Sequence, residues 1–336
     1  MLVILRSDCT AAAAAAVEDM IRSLGYRPVP VPGANRTAIC VTGNKAAVDG
    51  AALRHLPGVL ECIAVTRPYK LVSREVQPED SVITVADVRL GGDAAAVLIA
   101  GPCSVETEAR TLRIAEAART AGARMFRAGA FKPRTSPYDF QGLGHEALHT
   151  LSRVREEFGL PVVSEVLDKD HVAAMAEHVD VLQVGARNMQ NFALLRALAG
   201  VRKPVLLKRG ASATLTEWLM AAEYLLAGGN DQVILCERGI RTFADHSRNT
   251  LDLNVVPLVR QLSHLPVVVD PSHGVGARDR VRAMARAAIA CGAQGLLVEA
   301  HFDPSSSYTD ADQTVDLATL QGIARDLALL GKLEPL

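Results

Sequence analysis

The chain lacks an excess of charge of either sign. Its 336 residues contain 36 Lys and Arg against 37 Asp and Glu, a formal net charge of -1 at pH 7, with no polybasic block. Proteins that bind nucleic acid or anionic membranes usually present a strongly basic surface. The composition therefore argues against both functions, and any anionic ligand must be bound by a local group of cations.

The sequence also lacks long apolar runs and closely spaced cysteines. Met1 to Arg6 is a short apolar stretch without the regions of a signal peptide, and no run approaches the roughly 20 residues that span a bilayer. No C-x-x-C pair occurs, and we expect reduced thiols at Cys9, Cys40, Cys62, Cys103, Cys236 and Cys291. We therefore expect a cytoplasmic protein.

The first 70 residues alternate short β-rich segments with two helical patterns. Strands are predicted at Leu2 to Leu5, Arg27 to Val31, Thr37 to Thr42 and Val59 to Thr66, and helices at Thr10 to Leu24 and Lys45 to His55. The resulting order βαββαβ is that of a ferredoxin-like domain. We place this domain at residues 1–70, followed in residues 71–93 by a linker with a hairpin at Ser81 to Leu90.

Residues 94–336 contain eight β-rich apolar segments that alternate with helical stretches. The segments are Ala96 to Ala100, Arg124 to Ala128, Pro161 to Val166, Val179 to Val184, Pro204 to Leu207, Gln232 to Leu235, Pro266 to Val269 and Gly295 to Val298. Because parallel strands need crossover helices, the repeat predicts a parallel sheet. The count of eight and the absence of G-x-G-x-x-G after the first segment favour a closed (β/α)8 barrel over an open sheet.

Polar side chains follow the predicted strands at their carboxyl ends, where barrel enzymes build their active sites. Six of them are basic and come from different strands: Arg127, Lys132, Arg134, Arg187, Lys208 and Arg238. Any one of them alone is equally well interpreted as a solvated rim charge. Six like charges around one mouth repel unless an anion lies among them, so together they favour a phosphate and carboxylate site.

A second group at the strand ends offers metal ligands. Cys103, His273, Glu299 and Asp310 follow the first, seventh and eighth strands, which are neighbours in a closed barrel. A single cysteine is more often a small buried hydrophobe, and a single histidine is often only hydrogen-bonded. As a set with soft and hard donors, they suit Mn, Fe, Zn or Co better than Ca or Mg.

Several sequence motifs resemble those of a known family, the class I 3-deoxy-arabino-heptulosonate 7-phosphate (DAHP) synthases. The subclass with an N-terminal ferredoxin-like domain is the most similar, and the resemblance covers essentially the whole chain. The motifs are Ala100 to Glu106, Arg127 to Pro137, Gly185 to Arg187, Leu207 to Gly210, Cys236 to Gly239, Asp270 to Gly274, and Glu299 with Asp310. Each is weak alone, but in this order they are highly specific.

The resemblance implies a metal-dependent condensation of phosphoenolpyruvate with D-erythrose 4-phosphate and water. It implies metal ligands at Cys103, His273, Glu299 and Asp310, phosphoenolpyruvate contacts at Arg127, Ala186, Arg187, Lys208 and Arg238, and erythrose 4-phosphate contacts at Lys132, Pro133, Arg134 and Thr135. Lys132 would also be the general acid, and Glu165 would organise the basic floor or position the water. One departure, Thr309-Asp310-Ala311-Asp312-Gln313 where relatives have Ser-Asp-Gly-x-Gln, makes Asp312 a rival to Asp310.

The sequence leaves two alternative functions to consider. One is 3-deoxy-manno-octulosonate 8-phosphate synthase, whose second-strand motif is Lys-Ala-Asn-Arg rather than the Lys132 to Thr135 motif of this chain. The other is a non-catalytic amino-acid sensor, which the full set of expected site residues disfavours. The resemblance further implies inhibition by tyrosine or phenylalanine through the small domain and a homotetramer, while the alternative for that domain is a purely structural role.

Overall fold

The computed structural model describes residues 1–32, 37–44, 48–65, 67–133 and 136–331. The chain forms two compact units. The smaller contains residues 1–79 and 262–264, and the larger contains residues 80–261 and 265–336. No helix among the described residues is both long and apolar enough to cross a membrane.

The smaller unit has the predicted βαββαβ order. Its elements are β1 (Leu2–Leu5), α1 (Ala11–Ser23), β2 (Arg27–Pro32), β3 (Thr37–Thr42), α2 (Ala51–Arg54) and β4 (Val59–Ile63). The strands form an antiparallel sheet in the order β2-β3-β1-β4. α1 begins after Thr10, whose hydroxyl caps the helix by accepting the Ala13 N–H, and it buries Val17 and Ile21 against the sheet core.

The second helix of this unit is shorter than predicted. The prediction was Lys45 to His55, whereas α2 has four residues, and residues 45–47 lie outside the described part of the chain. Gly50 precedes the helix, and a side chain there would collide with Met1. Leu53 is the buried residue of α2, so a single apolar anchor supports this short element.

The larger unit is a closed barrel of eight parallel strands, as predicted. They are β7 (Val97–Gly101), β8 (Met125–Arg127), β9 (Val162–Glu165), β10 (Val181–Val184), β11 (Val205–Lys208), β12 (Val233–Glu237), β13 (Val267–Val269) and β14 (Gly295–Glu299). Each strand pairs with the next, and β14 closes the barrel on β7, with Glu299 opposite Gly101. Their side chains are buried, as expected for a parallel sheet covered by helices.

Helices follow the barrel strands along the chain. They are α3 (Glu108–Ala121), α4 (His145–Phe158), α5 (Val172–His178), α6 (Phe192–Ala199), α7 (Leu215–Ala227), α8 (Val255–Leu262), α9 (Pro271–Val275), α10 (Arg278–Ala290) and α11 (Leu317–Leu330). The short α9 lies within the Asp270 to Gly274 motif, where the Asp270 side chain caps the helix by accepting the His273 N–H. This cap fixes the backbone that carries His273.

A hairpin precedes the first barrel strand, within the predicted segment. Its strands are β5 (Ile83–Val85) and β6 (Val88–Leu90). The inward side chains of Ile83, Val85, Val88 and Leu90 share one hydrophobic cluster with barrel-interior residues such as Ile99. The hairpin therefore adds to the hydrophobic core of the barrel. The polar residues at the carboxyl ends of the strands are not part of this core and form the candidate site.

Candidate active site

A cavity of about 620 Å³ opens at the carboxyl ends of the barrel strands. The predicted site residues that line it are Lys132, Pro133, Glu165, Ala186, Arg187, Lys208, Arg238, His273 and Asp310. These residues follow strands distributed around the barrel, which is where this fold concentrates its chemistry. The cavity thus brings together residues that lie up to 178 positions apart in the sequence.

Among the residues that the structure describes, one group of side chains is suited to a shared metal ion. Cys103, His273, Glu299 and Asp310 each offer a donor atom, and these atoms all lie within 4.8 Å of one another. The Cys103 Sγ lies 2.8 Å from Asp310 Oδ2, and the His273 Nε2 lies 3.4 Å from Glu299 Oε1. The four predicted ligands therefore converge on one point.

The donor set fits a divalent transition metal. A thiol, an imidazole and two carboxylates combine soft and hard donors. Burial lowers the pKa of His273 and keeps the imidazole neutral, as a ligand requires. Burial raises the pKa of the Cys103 thiol to about 12, so binding a cation there would have to displace its proton.

Asp310 reaches the cluster through an uncommon backbone conformation. Its φ is +52°, in the left-handed region that Asp tolerates better than most residues. Arg248 donates to its Oδ1 at 3.2 Å, and charged neighbours, Lys132 first among them, outweigh burial and hold its pKa below the usual range. Asp312 is exposed, and its backbone carbonyl accepts the Arg278 N–H, so the structure places Asp310 and not Asp312 among the four donors.

Two predicted cations are ion-paired with the cluster. The buried Arg127 guanidinium donates to Glu299, and Lys132 Nζ donates to the Cys103 sulfur and lies 3.7 Å from Asp310 Oδ2. Burial alone would raise the pKa of Glu299, but His273 and Arg127 lower it to about 2. Burial would likewise lower the pKa of Lys132, but Cys103 and the carboxylates raise it, so the ammonium stays protonated.

The remaining predicted cations differ in their surroundings. Lys208 is buried, and its Nζ donates to Asp270 Oδ2 at 2.6 Å. Arg238 is also buried, whereas Arg187 is exposed on the turn that begins with Ala186. Lys208, Arg238, Arg187 and Ala186 all line the cavity. The ion pair with Asp270 holds Lys208 in place, whereas the exposed Arg187 presents its charge from the edge of the cavity.

Not every predicted contact falls within the described structure. Arg134 and Thr135 lie outside the described residues, while their neighbour Pro133 lines the cavity. Glu165 accepts a hydrogen bond from Gln183 at 3.1 Å and packs against Gly185, where a Cβ would overlap its carboxylate. Glu165 is therefore a fixed part of the cavity floor.

Three site residues were missed from the sequence. Asp270 Oδ2 lies 2.7 Å from His273 Nδ1, and the opposite ring nitrogen of His273 faces Glu299. Gln313 donates to Glu299 Oε2 at 2.5 Å, and Arg248 donates to the side-chain oxygen Oε1 of Gln313 at 2.7 Å. Asp270 and Gln313 lie inside the sequence motifs that contain the predicted metal ligands, so their position in the motifs could have identified them. Nothing in the sequence connects Arg248 with residues beyond position 300.

Comparison with known proteins matches both units to one family. Residues 73–332 match the DAHP synthetase I family, and residues 1–67 match the DAHP synthase ferredoxin-like domain. The phospho-2-dehydro-3-deoxyheptonate aldolase of Thermotoga maritima is 42% identical over 330 residues, which are 98% of this chain and 97% of that protein.

Solved structures agree with the sequence comparison. The crystal structure of the Thermotoga maritima phospho-2-dehydro-3-deoxyheptonate aldolase (DAHP synthase) superposes with a TM-score of 0.77 at 42% identity, covering 98% of this chain and 96% of that one.

A more distant relative is the 2-dehydro-3-deoxyphosphooctonate aldolase of Geobacter sulfurreducens, which is 33% identical over 263 residues, 73% of this chain and 96% of that protein. This chain therefore belongs to the DAHP synthetase I family and carries that family's ferredoxin-like domain at its N-terminal end.

Proposed function

We propose that the cavity at the carboxyl ends of the barrel strands carries out the DAHP synthase reaction. Phosphoenolpyruvate, D-erythrose 4-phosphate and water give DAHP and inorganic phosphate, the first step of the shikimate pathway to aromatic amino acids. One observation supports this assignment most strongly. Four side chains that can bind a metal ion lie together with the ammonium group of Lys132, in a cavity lined with cations.

Phosphoenolpyruvate is bound by the cations and by the turn at Ala186. Arg127 and Lys208 are buried and fixed by Glu299 and Asp270, so they meet the substrate without reorganising. Arg238 and Arg187 add charge-assisted hydrogen bonds to its phosphate and carboxylate groups. In the proposed reaction, this set has to orient phosphoenolpyruvate so that its terminal carbon faces the aldehyde of the second substrate.

Erythrose 4-phosphate is bound by the segment after β8, through Lys132, Pro133, Arg134 and Thr135. Its aldehyde carbon forms a bond with the enol carbon of phosphoenolpyruvate, and Lys132, protonated in its anionic surroundings, delivers a proton to the aldehyde oxygen. Water then adds to the cationic carbon and releases a proton, and the C–O bond to phosphate breaks as the new hydroxyl passes its proton to the departing phosphate, which leaves the ketone of DAHP. Glu165, fixed on the cavity floor, either orders the basic residues or positions that water.

One divalent ion, Mn²⁺, Fe²⁺, Zn²⁺ or Co²⁺, would be held by Cys103, His273, Glu299 and Asp310. When bound, such an ion supplies Lewis acidity toward the aldehyde oxygen. Asp270 orients the imidazole of His273, and Gln313 orients the carboxylate of Glu299. These contacts fix two of the four donors before any ligand arrives.

The acceptor decides between this reaction and its nearest alternative. Phosphate release from phosphoenolpyruvate is measured with purified protein and Mn²⁺, using erythrose 4-phosphate or arabinose 5-phosphate as acceptor. The proposal expects release with erythrose 4-phosphate and little with arabinose 5-phosphate. Preference for arabinose 5-phosphate would instead assign 3-deoxy-manno-octulosonate 8-phosphate synthesis, and no release with either would favour a sensor.

The proposal also covers the role of the small domain and the oligomeric state. We expect the domain of residues 1–70 to bind tyrosine or phenylalanine and to inhibit the barrel of residues 94–336, with residues 71–93 as linker and hairpin. We also expect a cytoplasmic homotetramer, as the resemblance to the subclass implies. A monomer in sedimentation would contradict the tetramer without affecting the assigned reaction.

A further inference from the structure

Two loops at the carboxyl ends of neighbouring strands each bring one donor to the four-donor cluster. The loop after β7 carries Cys103, and the loop between β14 and α11 carries Asp310. Asp310 has positive φ, and a residue other than glycine keeps that conformation only where its surroundings hold it. Whatever fixes the second loop against the first therefore also fixes the position of a donor.

The carboxylate of Glu106 joins these two loops. Glu106 follows Cys103 closely in the chain and is buried. Its Oε1 accepts the backbone N–H of Tyr308 at 2.8 Å and the hydroxyl of Ser307 at 3.1 Å. Both donors lie just ahead of Asp310, so one carboxylate oxygen holds the chain where it enters the donor position.

The second oxygen of Glu106 faces a guanidinium and an imidazole. Its Oε2 lies 3.0 Å from Arg110 Nε and 3.5 Å from His301 Nε2. Nδ1 of the buried His301 accepts the Asp303 N–H at 2.9 Å, which turns Nε2 of the ring toward Glu106. Arg110 also donates to the Ser306 carbonyl at 3.0 Å, which ties α3 to the same loop.

We infer that Glu106 is a positioning residue for the metal centre and acts through Asp310. The inference rests on the proposed metal role of Cys103 and Asp310. A separate contact, Ser104 Oγ to Thr309 Oγ1 at 2.9 Å, joins the same two loops. That contact does not involve Glu106, so it keeps the loop after β14 attached when Glu106 is changed. Loss of Glu106 then misplaces the Asp310 carboxylate without detaching this loop.

The test measures metal affinity in the full chain. Purified wild-type, E106A and E108A proteins are freed of metal with a chelator and titrated with Co²⁺, following the thiolate-to-cobalt absorption that reports binding at Cys103. Glu108 is the matched control because it lies in the same segment, is exposed, and pairs with Arg153. The inference expects E106A to bind Co²⁺ about 10- to 100-fold more weakly and E108A to bind like wild type.

A double-mutant cycle separates positioning from a general structural effect. The same titration is run on D310A and E106A/D310A. If Glu106 acts through Asp310, removing it costs affinity in the wild-type background and nothing further in D310A. An equal loss in both backgrounds, or no loss in E106A itself, would overturn the inference.

A gentler variant covers the case in which E106A does not fold. R110M removes the ion pair to Glu106 and the contact with Ser306 but leaves the carboxylate in place. The inference expects a smaller loss of Co²⁺ affinity in the same direction, and unchanged affinity would overturn it. Wild-type protein without the thiolate absorption would overturn the proposed metal site itself, so the two failures are distinguishable.

Discussion

Asp270 illustrates how one buried carboxylate serves two functional side chains. It is fully buried, its Oδ2 accepts a hydrogen bond from Lys208 Nζ, and the same oxygen lies 2.7 Å from His273 Nδ1. Burial alone would raise its pKa, but His273 and Lys208 hold it well below the ordinary value. It therefore links a cation expected to bind phosphoenolpyruvate with a residue expected to bind metal.

Replacing Asp270 should disturb both functions. In D270N the His273 ring loses the partner that orients it, and the buried Lys208 loses its counter-ion. We expect metal affinity to fall about 10- to 100-fold and the KM for phosphoenolpyruvate to rise, measured by Co²⁺ titration and steady-state kinetics. D279N is the control, since Asp279 is exposed on α10; a D270N protein that retains both affinities would contradict this role.

At the scale of residues, the sequence predicted which side chains meet at the ends of the strands. Cys103, His273, Glu299 and Asp310 were named as one group, and their donor atoms lie within 4.8 Å of one another. The partners that hold them were not foreseen, because contacts such as Arg248 with Asp310 join loops that are 62 positions apart. Sequence spacing carries no information about such pairs until the barrel is closed.

At the scale of elements, the strands could be predicted from the sequence, whereas two of the short helices could not. The eight barrel strands were predicted because mainly apolar, β-rich segments repeat between helical stretches, and the hairpin was predicted in the segment that precedes them. The helix predicted at Lys45 to His55 was too long, since α2 is limited to Ala51–Arg54. The short α9 was missed, because Pro-Ser-His-Gly gives little helical signal and the helix depends on the Asp270 cap.

The hairpin before β7 should contribute measurably to the stability of the barrel. Leu90 is almost fully buried in the cluster shared with Ile99, and truncating a buried leucine leaves a cavity. We expect L90A to lower the free energy of unfolding by about 2 to 5 kcal/mol.

Fluorescence of the single tryptophan measures this effect. Trp218 is fully buried in α7 of the barrel and donates to the Leu207 carbonyl, so its emission during denaturant unfolding reports on that unit. V82A is the control, because Val82 precedes the same hairpin and is exposed. An L90A curve that coincides with the V82A curve would show that the hairpin does not support the barrel.

At the scale of the whole molecule, the chain consists of a barrel that contains the candidate active site and a small domain to which no ligand is assigned. The barrel contains the cavity and the four donors, and the ferredoxin-like domain forms a separate compact unit. Composition does not identify an effector for the small domain, and neither does its fold, since similar folds occur with unrelated roles.

Removing the small domain should abolish inhibition and spare catalysis. We expect tyrosine or phenylalanine to slow phosphate release by the full chain and to have no effect after deletion of residues 1 to about 70, because the barrel closes by its own strand pairing. Initial rates of both proteins over a range of each amino acid measure this. Inhibition that persists after deletion would place the effector on the barrel instead.

The central claim is that Cys103, His273, Glu299 and Asp310 hold a divalent ion that the reaction requires. The most direct measurement is phosphate release from phosphoenolpyruvate and erythrose 4-phosphate by chelator-treated protein as Mn²⁺ is added back, with the metal content of each sample determined. We predict no release at zero metal and full activity at one ion per chain. Undiminished release from protein shown to contain no metal would contradict the claim.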